Sequence, residues 1–140
     1  MSKYWEIEEG KVDGAGFLQA LWRHFPQATT FYVEGTSVSG DVMDFYRLHK
    51  EEGDYLPARQ TLFPLSRKFR CRFSASFAAG LSALAQKHAE TELLDHVALY
   101  DGSREILSWH DAFANVLLIS RSIPEWTVSA FAADLGLRYS

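Results

Sequence analysis

Residues 107–118, LSWHDAFANVLL, set His110 beside Asp111 between a tryptophan and an aliphatic run that reads as core. Histidine titrates near neutrality, and with a carboxylate to orient it forms a common acid–base unit in enzymes. Neighbours in sequence point in different directions along a strand, so adjacency alone supplies no Asp–His contact. No G-x-S-x-G elbow offers a nucleophile. The pair therefore reads as a polar turn between two strands. It gains chemical weight only if that turn lies over a face where His96, Glu34 and Arg70 converge.

A second concentration of ligand-type side chains is HAETELLDH, with His88, Glu90, Glu92, Asp95 and His96. It matches no zinc spacing, since H-E-x-x-H and C-x-x-C are both absent, and a structural account is at hand. His88 falls near a helix C-terminus, where the dipole favours a cation. No metal site and no cofactor are expected from these motifs.

RKFRCRFS is different in kind. Phe69, Cys71 and Phe73 alternate with Lys68, Arg70 and Arg72, so a strand here buries one face and presents cations about 6.6 to 6.8 Å apart on the other. Such a row is a platform for phosphate or carboxylate, because guanidinium groups grip these anions with paired hydrogen bonds. Its bland counterpart is a solvated face, or one neutralised by Glu34 and Tyr32, or His96 and Tyr100, on neighbouring strands. Cys71, between two phenylalanines, reads as packing.

The elements that position these groups follow from hydrophobic period. DGAGFLQALWRHFP is a helix capped by Asp13 and stopped by Pro26, and TTFYVEG alternates as a half-buried strand. SGDVMDFYRLHK is a short helix with Ser39 as its cap. SASFAAGLSALAQKHAE carries a stripe of Phe77, Leu81, Leu84 and His88, with Ser74 or Ser76 as cap and an end near Glu90. HVALY, REILSW and NVLLIS then form a meander, the last strand central or covered on both faces. SIPEWTVSAFAADLGL closes as a helix with a Ser122/Glu125 capping box and Gly136 as its stop.

Between the second helix and the basic strand, residues 51–66 hold two prolines and no sustained period, a long loop of the kind that often carries function. Leu62 and Phe63 fit a lid over the sheet edge. Tyr55 and Arg59 are aromatic and cationic groups of the kind enriched at interfaces.

The expected fold is α+β: a single-domain two-layer sandwich over residues 1–140, with a mostly antiparallel sheet of about five strands, a C-terminal three-strand meander and about four helices. At 140 residues with 47% hydrophobic content, the chain buries a core without staples, and its one cysteine rules out an internal disulfide. The mixed, acidic KYWEIEEG is no leader, and no apolar run nears ~18 residues, so a cytoplasmic protein without membrane association is expected. A net charge of −4 and the lack of any nucleic-acid motif argue against nucleic acid as partner.

The function expected is that of a small non-enzymatic binding or accessory protein, of the immunity or regulatory kind. It would use Lys68, Arg70, Arg72, Tyr32, Tyr55 and Arg59 against an acidic protein partner or a small anionic ligand. The alternative is a small hydrolase or transferase in which His110, His96 and Glu34 move protons and arginine holds the anion. A third class, a self-associating subunit, would bury its exposed aromatics in a homodimer.

Overall fold

The computed structural model describes residues 2–51 and 67–140. Six strands form one antiparallel sheet in the order β1-β6-β5-β4-β2-β3. They are β1 (Tyr4–Ile7), β2 (Thr30–Gly35), β3 (Arg67–Arg72), β4 (His96–Asp101), β5 (Arg104–Trp109) and β6 (Leu117–Ser120). Four helices, α1 (Gly14–His24), α2 (Gly40–Leu48), α3 (Ala75–Ala85) and α4 (Glu125–Leu135), complete the α+β fold.

The helices share one face of the sheet. Phe31 and Val33 of β2, Cys71 of β3, Val97 and Leu99 of β4, Leu107 and Trp109 of β5, and Leu117 and Ile119 of β6 join a single buried cluster. Into it the helices insert Phe17, Leu18 and Leu21, Val42 and Tyr46, Phe77 and Leu81, and Val128 and Phe131. Each fully buried side chain of this size contributes about 1.5–3 kcal/mol relative to exposure, so this layer dominates stability. The alternate residues, Tyr32, Glu34, Arg70, His96, Tyr100 and Ser108, fall on the opposite face, which none of the four helices covers.

Caps explain where the helices begin. Both Asp13 carboxylate oxygens accept, from the Ala15 and Gly16 amides at 3.1 and 3.2 Å, and Ser74 Oγ accepts from the Phe77 amide at 3.1 Å. Gly136, at φ 71°, adopts the left-handed conformation that ends α4 and that side chains resist. Two expected caps are not made. Ser39 makes no side-chain cap bond and instead donates its hydroxyl to Asp41 Oδ1 at 2.7 Å. The Ser122/Glu125 box gives way to Pro124 at the N-cap, because Ser122 Oγ pairs with Ser120 Oγ and Glu125 accepts from the Tyr139 hydroxyl.

Two further differences concern extent. α3 ends at Ala85 rather than near Glu90, and a single 3-10 turn, Glu90–Glu92, follows, with Glu92 Oε1 accepting from the Ala89 amide at 2.9 Å. The sheet has six strands instead of about five. β1 comes from the acidic N-terminal stretch, whose four residues are too few to set a period but pair fully with β6. β6 is therefore interior, flanked by β1 and β5, as its unbroken aliphatic run requires.

Candidate functional site

The sheet face away from the four helices brings most of the expected site residues together. On β2, Tyr32 stands opposite Arg70 and Glu34 opposite Lys68, while across the other edge of β2 Glu34 also faces His96 and Thr30 faces Tyr100. Arg72 pairs in register with Thr30 at the far end. Tyr55 and Arg59 lie outside the described residues, as do Leu62 and Phe63.

At the β3 end, Arg70 is committed. Its Nε donates to Glu51 Oε2 at 2.9 Å, while Thr30 Oγ1 donates to the other oxygen of Glu51 at 2.9 Å, and the guanidinium lies 6.0 Å from the Tyr100 ring. The neutralising partner is thus Glu51, just past α2, rather than a carboxylate on a neighbouring strand. It is placed by backbone pairing along the outer edge of β3, where the Glu51 amide donates to Arg70 O at 2.8 Å and the Arg72 amide to His49 O at 3.0 Å. Arg72 itself is exposed. With Leu48, His49, Lys50 and Glu51 it lines a cleft of about 480 Å³.

Two phenols flank Arg70, Tyr32 midway along the face and Tyr100 level with Thr30. Burial, with the neighbouring Glu34 carboxylate, pushes the Tyr32 phenol well above its ordinary value. Burial and Glu105, whose carboxylate accepts from the hydroxyl at 3.2 Å, push Tyr100 up to about 12. Both remain protonated across the physiological range. Behind them, burial raises the Cys71 thiol to about 12, and it donates weakly to Tyr46 O at 3.5 Å, so its role is packing.

At the other end, the turn after β5 folds back over β4. The Asp111 amide donates to His96 Nδ1 at 2.9 Å, and the Ala112 amide to Asp95 O at 2.8 Å. Phe113 packs on Phe17 and Trp109, which anchors the turn in the core. Asp111 and Phe113 both have positive φ, 50° and 70°, the only such non-glycine residues among those described. The left-handed region costs L-residues about 1–2 kcal/mol each, so the turn is held by these tertiary contacts.

The result is a parallel stack of the His96 and His110 rings, centroids 4.0 Å apart and planes 4° from parallel. Asp111 completes a group with them. Its carboxylate lies 3.9 Å from His96 Nδ1 and 3.9 Å from His110 Nε2, too far for a hydrogen bond to either ring. His96, His110 and Glu34 therefore share one end of the face, whereas Arg70 and Arg72 belong to the other. Along the strands Arg70 is two residues, about 7 Å, from the level of Glu34 and His96, and Arg72 is four residues, about 13 Å, from it.

HAETELLDH is dispersed by the fold. His88 Nε2 bonds Asp41 Oδ2 on α2 at 2.9 Å, Asp95 Oδ2 accepts from Thr36 Oγ1 at 2.7 Å, and His96 joins the sheet face away from the helices. Matched against known proteins, the chain fits no family model, and no curated protein or solved structure matches it.

Proposed function

We propose that this chain is a small, cytoplasmic, non-enzymatic binding protein of the accessory, immunity or regulatory kind. It uses the cationic β3 side of the sheet face away from the helices against an anionic group, on an acidic protein partner or a small ligand. One observation carries this reading: the cleft beside Arg72 and Lys50 contains a carboxylate, Glu51, already taken up by Thr30 and Arg70. Arg72 and Lys50 bring cationic side chains to the lining of that cleft in a chain whose total is −4, and a concave site lined by cations concentrates anions. Among the described residues no helix is long and apolar enough to cross a membrane, which agrees with a partner met in water.

Titrating the labelled protein with a polyglutamate peptide and, separately, with inorganic phosphate tests the reading. Amide resonances of residues 48–51 and 70–72 are expected to move, and Arg72→Glu to abolish the movement. The peptide arm reports an acidic protein surface and the phosphate arm a small ligand. Movement confined to other regions, or undiminished in Arg72→Glu, overturns it.

An enzymatic reading, a hydrolase or transferase using His96, His110 and Glu34, draws support from their meeting at one end of the face. Its weakness is the 3.9 Å carboxylate separation, which gives neither ring an orienting acid.

A further inference from the structure

The geometry points to a divalent transition-metal site made by His96, His110 and the Asp111 carboxylate. One ligand atom from each lies within 4.8 Å of the others. Two imidazoles and a carboxylate suit zinc and its neighbours in the first transition row, not calcium or magnesium, which take oxygen ligands. Three protein ligands also leave a fourth position open on a tetrahedral ion.

The distances are close to what such an ion requires. Metal–nitrogen and metal–oxygen bonds of roughly 2.0–2.2 Å at tetrahedral angles set donors about 3.4 Å apart. Asp111 Oδ1 stands 3.9 Å from His96 Nδ1 and Oδ2 stands 3.9 Å from His110 Nε2, so the group closes on an ion as the carboxylate draws in between the two rings. The stack holds the two rings, and so their in-plane lone pairs, in parallel planes, and one ring must turn to share an ion. His110, with 71% of its side chain exposed, is the ring that turns.

His96 is already in the form a ligand needs. Because Nδ1 accepts the Asp111 amide proton, its lone pair lies there and the ring proton sits on Nε2. An ion replaces the amide as partner of Nδ1. Glu34 stands directly across the strand pair from His96 on the same face, so a second carboxylate belongs to this end of the sheet. The anchored, positive-φ turn explains how residues fourteen positions apart in sequence are kept in register.

The experiment is a calorimetric titration of the full chain, freed of metal with a chelator, with zinc chloride, followed in parallel by amide spectra. One equivalent is expected to bind, moving the resonances of His96, His110 and Asp111. His110→Ala and Asp111→Asn are each expected to weaken binding by at least about tenfold. Both leave the fold intact, since His110 is exposed and asparagine tolerates the left-handed backbone. His88→Ala, which removes the histidine beside Asp41 and Glu92, leaves the affinity unchanged. Absence of saturable binding at millimolar zinc, equal binding by His110→Ala, or displacement of zinc by equimolar calcium overturns the proposal. These outcomes do not depend on the anion cleft at the other end of the sheet.

Discussion

His88 and Asp41 illustrate how one side-chain pair ties α2 to the segment that follows α3 and sets a pH window. The hydrogen bond to His88, then that from Ser39, lowers Asp41 from 3.8 to about 2, and the bond to Asp41 raises His88 above 6.5. A depressed carboxylate stabilises above its unfolded value and loses that contribution as pH falls toward 2. A raised histidine stabilises below 6.5 and loses its contribution as pH rises through its folded value. The pair thus contributes fully between about pH 4 and 6.5. Melting curves of His88→Ala should show a loss of Tm within that window and convergence with the parent at alkaline pH. At the cationic end, Glu51→Gln should release Arg70 and tighten phosphate binding, read as a lower Kd. Neither partnership was visible in the sequence, because Asp41 and His88, and Glu51 and Arg70, are joined only by the packing of separate elements.

At the scale of elements, local chemistry and tertiary context divide in an instructive way. Asp13 caps α1 as its position before an apolar stripe implies, and Asp13→Ala should cost about 1 kcal/mol in chemical denaturation. Ser122 has equally suggestive spacing, yet its hydroxyl is spent on Ser120, so Ser122→Ala should change stability by less than about 0.5 kcal/mol. Comparing the two midpoints separates a formed cap from a merely possible one. Alternation identified β2 and β3 and their faces correctly, since a period of two is robust over six residues. β1 escaped notice because Trp5 and Ile7 are the only inward positions in four residues, too few for a pattern.

For the whole molecule, the sheet has two outer edges, and short segments pair with both. Residues 138–140 run along β1, with Glu6 and Ser140 exchanging two backbone bonds of 2.9 Å and the Glu8 amide donating to Arg138 O at 2.9 Å. Residues 49–51 do the same along β3. Unpaired edges invite association with another chain, so removing Arg138–Ser140 should lower Tm by several degrees and shift size-exclusion elution toward larger species than the intact chain. Unchanged elution and Tm would show that the tail protects nothing.

The sequence by itself determined the α+β class, the four helices, the faces of the basic strand and the burial of Cys71, because each depends on period and composition within a short window. The turn character of HDAFA was legible for the same reason. Only the tertiary structure decided what faces what: that β2 brings Glu34 between Lys68 and His96, that Glu51 claims Arg70, and that the turn carries His110 onto His96. Strand order and the docking of a turn are set by the summed burial of one shared core and by backbone bonds between distant segments, and no local pattern encodes either.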